Sequence, residues 1–596
     1  MELPPPPTGT EGPAIKLRPQ PPSKASDSSL AVLLHAYRHT PERLASVEKA
    51  IRCAKPNAHV IVPGLPLTMW STADLSDIAA AVVDLIDTQV KHREQPGYRP
   101  FEQIILVGHS TGSMIARKAY VLACGETEEA PFKHRDGLND RPLCAGKSWA
   151  GQVERIIQLA GMNGGWSVSH HMGTRRALEF SLGSAAGHLL LSVTNRRLAI
   201  FQIRRGAPFL SGLRLQWLAL QRRAPPEKSQ MAMVVQLLGT VDDLVAPEDN
   251  LDLVTGREFV YLDVAYSGHV NVIEMDSSAA GKERRKAFCL AVNSSREALK
   301  QRSVEPSDHD AMVTSHGVHV TDVVFVIHGI RDAGFWTHKI ARRVQARGNK
   351  QPKRLYATET STYGYFPMLS FLLPWRRRDK VAWLMDQYAR AKVLYPKATC
   401  FSYLGHSNGT YLLAAALRDN PACRFDRVVF AGSVVRRDYD WRQAMRRGQV
   451  GSVLNYVATN DKVVACFPGA LERLRGQDLG SAGHNGFVQA QEPSTDSRIS
   501  DICYVEGGHS AALSEEQWDD IARFICDGTV PKPKKPAPRQ ARSVVFLGRY
   551  PWIVWVAILA LLSLATYGIW QIPFEWLRTL ALLGFWWAVV KILTRF

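Results

Sequence analysis

Residues 30–37 read LAVLLHAY, an apolar run rich in Leu and Val that stops at a polar turn. A run of that length is too short for a helix and predicts a strand buried on both faces of a sheet. FEQIILVGHSTGSMIARKAYVLA (101–123) predicts a strand, a tight turn and a helix in direct succession. From residue 321 the same grammar returns as DVVFVIHGIRDAGFW and then ATCFSYLGHSNGTYLLAAALRD. His35 precedes Ser110 by 75 residues, and His328 precedes Ser407 by 79. A third shared block follows, LLGTVDDLV (237–245) against YVATNDKVV (456–464), each a run of small and apolar residues that meets an acid. Three blocks in one order predict two related α/β domains in tandem, at 29–300 and 318–529. The polar stretch 301–317 joins them, because it lacks hydrophobic periodicity.

The two ends of the chain break this pattern. Residues 1–28 are Pro-rich and poor in large apolar side chains, which predicts a disordered tail and offers no apolar core for a secretory signal. Residues 530–550 form a basic, Pro-rich linker, and 551–596 read as a membrane anchor. Within the anchor, PWIVWVAILALLSLATYGIW (551–570) carries no charge over twenty residues, long enough to span a bilayer core as a helix. The second apolar run, 579–590, holds only twelve uncharged residues. It fits either a second span stretched by snorkelling ends or an interfacial helix. Lys532, Lys534, Lys535, Arg539, Arg542 and Arg549 precede the first span with no acid among them, so both domains are expected on the cytoplasmic side.

Composition adds a little. The 596 residues carry 73 Lys and Arg against 55 Asp and Glu, a net charge of +18. These basic residues are spread along the chain without a nucleic-acid fold signature. Membrane lipid is therefore the expected anionic partner, and nucleic acid is not expected. Nine dispersed cysteines form no C-x-x-C pair, which fits reduced thiols in a cytosolic compartment. No metal or nucleotide fingerprint occurs, so no cofactor is expected.

The chemistry sits in two G-x-S-x-G motifs, Gly108-His109-Ser110-Thr111-Gly112 and Gly405-His406-Ser407-Asn408-Gly409. A serine at a sharp strand-to-helix turn is held in a strained conformation with its hydroxyl exposed. The N–H of the next residue, at the helix start, faces a developing oxyanion. Each copy follows an apolar strand and precedes an apolar helix. These residues, with the loops after His35 and His328, resemble the lipase/esterase branch of the α/β-hydrolase superfamily over roughly 30–300 and 318–528. The resemblance implies an eight-stranded, mostly parallel sheet and a Ser, Asp, His order along each domain. In the first domain it implies Ser110 as nucleophile, Asp242 as acid with Asp243 adjacent, and His269 as base. Thr111 would supply one oxyanion N–H, and the loop at Ala36 and Tyr37 the other. Ala36 stands where the family has glycine, which narrows the backbone options of that loop. In the second domain it implies Ser407, Asp461 and the N–H groups of Asn408 and of the Gly329–Ile330 loop. His509 and His484 compete for base; His509 is preferred, since it lies between an apolar strand and the helix EEQWDDIARFI. His109 and His406, beside the serines, read as packing or substrate-side residues.

Two segments suggest substrate handling. The extra length around 164–228 reads as a helical cap, or as a lid with an apolar inner face for an acyl chain. Tyr363–Trp375, followed by Arg376, Arg377 and Arg378, reads as a lipid-interface segment or as a buried loop. The resulting expectation is a membrane-anchored serine hydrolase acting on small-molecule or lipid esters or thioesters. The alternative is a tethered binding or scaffold protein with one or both folds inactive.

Overall fold

Short apolar runs alternating with amphipathic helices give parallel strands, because each crossover helix returns the chain to the end of the sheet where the previous strand began. A computed structural model describes residues 15–24, 26–126, 146–165, 198–223, 231–239, 258–303, 317–330, 336–361, 363, 366, 371–472, 477–491, 498–531 and 540–595. The chain divides into two compact units, Met1–Met312 and Val313–Phe596.

The first unit holds β1 (Ser29–Leu34), β2 (Ala58–Ile61), β3 (Gln103–His109), β4 (Val153–Leu159), β5 (Met233–Gly239) and β6 (Phe259–Val264). They form one sheet in the order β2-β1-β3-β4-β5-β6, parallel throughout. The second unit holds β7 (Asp322–Ile327), β8 (Tyr356–Glu359), β9 (Cys400–His406), β10 (Phe425–Ala431), β11 (Val450–Ala458) and β12 (Ile499–Val505). Their order, β8-β7-β9-β10-β11-β12, is the same winding, again parallel throughout. The register repeats as well: Leu34 pairs with Gly108 in one sheet and Ile327 with Gly405 in the other. Among the described residues each sheet has six strands, not the eight that the resemblance implies. The described chain ahead of β1 is a Pro-rich stretch without regular structure, and proline, lacking an N–H, cannot extend a ladder.

Strands buried on both faces need helices on both. In the first unit, helices Leu75–His92, Thr111–Ala123 and Pro208–Arg223 pack together on one face. Helices Ala45–Ala54 and Ala279–Asn293 close the other around Leu33, Val107, Val235 and Phe288. In the second unit, Pro374–Leu394 and Asn408–Asp419 take one face, and Thr337–Gly348 and Glu515–Asp527 the other. In both sheets the winding reverses between the first and third strands, and ligands bind α/β sheets outside the carboxyl ends of strands at such a point.

Two pairs of alternatives narrow here. The helix Pro208–Arg223, the longer of two described helices in the expected cap, is a crossover element. Its Leu210, Leu213 and Trp217 are fully buried, and its apolar face packs on Thr111–Ala123 rather than forming a lid. The remaining cap residues, 166–197 and 224–228, lie outside the described residues. The aromatic run of the second unit is also spent inside: Tyr363, Phe366 and Phe371 are buried. Arg377, fully buried, donates to Asp478 at 2.7 Å, so the central arginine of the basic cluster serves an internal ion pair.

The chain continues from the second unit into helix Arg542–Arg549, helix Trp552–Trp570 and helix Glu575–Arg595, the last two packed on one another. Trp552–Trp570 is the one helix among the described residues long and apolar enough to cross a membrane, and none of it is buried against protein. Its nineteen residues extend about 28 Å.

Candidate active sites

Each elbow is built by its strand and helix. Ser110 sits between β3 and Thr111–Ala123 at φ 50°, ψ −116°; Ser407 sits between β9 and Asn408–Asp419 at φ 51°, ψ −118°. These angles are costly for a residue with a side chain, and the surrounding packing imposes them. Ser110 N–H donates to the Leu159 carbonyl and Ser407 N–H to the Ala431 carbonyl, each at 3.0 Å, which fixes both turns to the neighbouring strand. Glycine is required two residues on. A Cβ at Gly112 would lie 2.2 Å from the Leu34 oxygen, and one at Gly409 2.6 Å from the Ile327 oxygen.

In the first unit His269 Nε2 lies 2.8 Å from Ser110 Oγ, and both residues are buried. The loop carrying His269 is braced from below. Buried Arg284 donates to Ser267 Oγ at 2.9 Å, to the Tyr266 carbonyl at 2.7 Å and to the Glu274 carbonyl at 3.1 Å. Gly268 N–H donates to Asn271 Oδ1 at 2.7 Å. His109 Nε2 meets the His269 carbonyl at 2.9 Å. Burial pushes the His109 pKa down to about 3, so its ring is neutral and donates to that carbonyl through Nε2–H. Asp242 and Asp243 lie outside the described residues.

The loop after β1 is held by His35, whose Nδ1 lies 2.9 Å from the Ala36 oxygen and whose Nε2 accepts from Leu65 N–H at 2.9 Å. Tyr37 OH donates to the Met69 carbonyl. The strained residue of this loop is Arg38, at φ 61°; Ala36 is not among the positive-φ residues, so alanine fits its backbone there. A cavity of about 330 Å³ opens beside it, lined by His35, Arg38, His39, Leu65, Thr68 and Met69 among others.

The second unit closes a different pair. His509 Nδ1 lies 2.9 Å from Asp461 Oδ2, and Asp461 is fully buried. Asp461 Oδ1 also accepts from Val464 N–H at 2.9 Å, so this carboxylate caps the helix Lys462–Cys466. No hydrogen bond joins Ser407 Oγ to His509 or to His484 among the described residues. His406 lies beside His509 with ring centroids 4.9 Å apart and the rings tilted by 48°, and its Nε2 lies 3.3 Å from Ser510 Oγ. Gly329 approaches closely: a Cβ there would lie 2.7 Å from Ser407 Cβ and 3.3 Å from Ser407 Oγ. Tyr363 spans this loop, its OH 3.0 Å from the His328 oxygen and 2.8 Å from the Gly329 oxygen, while Asn408 Nδ2 donates to it at 3.2 Å. Its ring stacks on His328 at 4.4 Å.

His484 makes no hydrogen bond to Ser407, Asp461 or His509 among the described residues. Its backbone oxygen accepts from Gln540 Nε2 at 2.8 Å, and its Nε2 would lie 2.4 Å from a Cβ at Gly548. Burial lowers its pKa. His109 and His406 thus pack against the histidine loops. Arg284 was not singled out from the sequence, because it belongs to no motif, and Tyr363 stood there only as the start of the aromatic run, not as a partner of the loop after His328.

No family model matches the chain, and no curated protein matches it. Among solved structures it is similar to the RedJ thioesterase of the prodiginine biosynthetic pathway in Streptomyces coelicolor, at 14% identity over 46% of this chain and 89% of that one, TM-score 0.25. It is also similar to a lipase-esterase related protein from Clostridium acetobutylicum, at 11% identity over 46% and 98%, TM-score 0.26. A butyrate-bound esterase, Est2, from Thermogutta terrifontis matches at 13% identity over 47% and 85%, TM-score 0.28. Two six-stranded parallel sheets flanked by helices, each with a serine elbow after its third strand, fit tandem α/β-hydrolase domains.

Proposed function

We propose that this chain is a membrane-anchored serine hydrolase that cleaves ester or thioester bonds. The observation that carries the reading is the 2.8 Å approach of His269 Nε2 to Ser110 Oγ at a strained elbow. In this reading His269 takes the Ser110 proton as Oγ attacks the acyl carbon, then returns it to the leaving alcohol or thiol. Thr111 N–H and the loop at Ala36 and Tyr37 face the oxyanion, and water then releases the acyl group from Ser110. Asp242 is the proposed orienting acid. At the second site Ser407, His509 and Asp461 take the same roles, with Asn408 N–H and the Gly329–Ile330 loop toward the oxyanion. The missing Ser407–His509 hydrogen bond favours a second reading for that unit alone, a fold that binds an ester without cleaving it. The substrate class, small-molecule or lipid ester, rests on the apolar helix Trp552–Trp570, which would hold the enzyme at a bilayer.

A fluorophosphonate probe on the full chain in detergent, with the adducts located by peptide mass, tests this. Labelling at Ser110 and at Ser407 is expected, and each is abolished by its own serine-to-alanine change. A folded chain labelled at neither serine overturns the hydrolase reading. Labelling at Ser110 alone assigns the second unit to binding.

A further inference from the structure

The carboxylate that would orient His509 is held from two sides. Its own strand ends at Ala458, and its helix, Lys462–Cys466, starts at Asp461 and ends against Phe467. The segment that enters the membrane packs on that helix. Helix Arg542–Arg549 lies across Lys462–Cys466 with Val544 fully buried. Ala541 N–H, just ahead of it, donates to the Thr459 carbonyl at 3.4 Å, two residues before Asp461. Thr459 Oγ1 in turn accepts from Gly507 N–H at 3.1 Å, two residues before His509. The far end is fixed by His484, whose Nε2 occupies the space a side chain at position 548 would need. Trp555, in the first turn of the apolar helix, meets Phe467 edge-on with ring centroids 5.4 Å apart.

We propose that helix Arg542–Arg549 is a positioning element for the second site: its docking on His484 and on the acid helix sets whether Asp461 and His509 reach Ser407. The proposal rests on the hydrolase reading of this site. Three features support it. Docking combines a close fit of Gly548 against His484 with hydrogen bonds from Gln540 Nε2 to the His484 oxygen at 2.8 Å and from Ala541 N–H to the Thr459 carbonyl at 3.4 Å. A cavity of about 480 Å³ lies beside it, lined by Arg437, Glu472, His484, Gln540, Val545 and Arg549, which leaves space next to the docked helix. His509 is bonded to its acid while Ser407 is not bonded to His509, so the part of the site that remains to close is the part a shift of the acid loop would move. A bilayer that moves the Trp552–Trp570 helix therefore acts on Asp461 through helix Arg542–Arg549.

The test uses the full chain in phosphatidylcholine vesicles, with Ser110 labelling as an internal reference. Gly548→Leu should slow fluorophosphonate labelling at Ser407 by about tenfold or more, since small displacements of a catalytic group cost that much. Labelling at Ser110 should not change. His484→Ala together with Gly548→Leu, which trades the imidazole for the new side chain, should restore the Ser407 rate. Amide exchange over Lys462–Cys466 should rise in the single variant and return in the double. Wild-type labelling in the single variant, or a double variant as slow as the single, overturns the proposal. If wild-type Ser407 is not labelled at all, the hydrolase reading of this site fails. The exchange measurement still decides the docking: unchanged protection in Gly548→Leu overturns it.

Discussion

At the scale of single residues, the loops after β1 and β7 differ by one methyl group at the position that follows the histidine. The first has His35-Ala36 and the second His328-Gly329. The glycine of this motif is usually credited with conformational freedom, yet neither Ala36 nor Gly329 is among the positive-φ residues. What Gly329 supplies is room, because a Cβ there would press on Ser407 at 2.7 Å from its Cβ. Gly329→Ala should therefore displace Ser407 and slow its fluorophosphonate labelling by about tenfold or more. Ser110 labelling should stay at the wild-type rate, and equal rates at Ser407 would show that the loop yields instead. The substitution of glycine by alanine was visible in the sequence; which of two physical reasons governs it was not, because that depends on an approach between residues 78 apart. Arg284, 17 residues from Ser267, and Tyr363, 35 residues from His328, were hidden for the same kind of reason. A motif marks residues that chemistry forces into one local turn, whereas a brace on the histidine loop can come from whichever helix packs beneath it.

At the scale of elements, the strands and elbows were legible because burial on both faces and a serine between strand and helix leave local patterns. Strand number was less so: eight came from the resemblance, and the described sheets hold six, identically wound. The apolar segment 208–223 shows the limit of pattern reading, since a lid and a crossover helix both need one apolar face. The last strand of the second sheet carries a testable group. Asp501, on β12, accepts from Asn455 Nδ2 at 2.9 Å and from Phe487 N–H at 3.0 Å. Burial nevertheless pushes its pKa up to about 6. A carboxyl whose pKa is higher folded than unfolded favours the folded state most below the unfolded value, about 4, and loses that contribution as pH rises through about 6. The wild-type chain should thus lose of order 2 kcal/mol relative to Asp501→Asn between pH 4 and pH 7. Thermal unfolding of the full chain, followed for the second unit, checks it. A wild-type advantage that grows with pH would mean that the hydrogen bonds outweigh burial.

At the scale of the whole molecule, the charges around the apolar helices predict which side of a bilayer the two α/β units occupy. Six basic residues and no acid lie between Lys532 and Arg549, directly ahead of Trp552. Basic residues this close to a span are retained on the cytoplasmic side. The turn after the span, Gln571–Arg578, carries one acid and one base and exerts no opposing bias. Past the second apolar run come Lys591 and Arg595, which again favour the cytoplasm. If only Trp552–Trp570 crosses, this basic end is left on the far side, against the charge rule. If Glu575–Arg595 also crosses, both ends are cytoplasmic and the charges agree. That helix is twenty-one residues long, enough for a bilayer core by length, although Glu575, Arg578 and Lys591 lie within it near its two ends. The expected arrangement is a hairpin with both hydrolase units and the C-terminus in the cytoplasm. Tags at the two ends, with protease added from either side of sealed vesicles, measure this. Both tags should be cut only from the cytoplasmic side. A C-terminal tag cut from the opposite side would establish a single crossing, and digestion of residues 1–530 from that side would reverse the orientation. Release of the intact chain into solution without detergent would remove the anchor altogether.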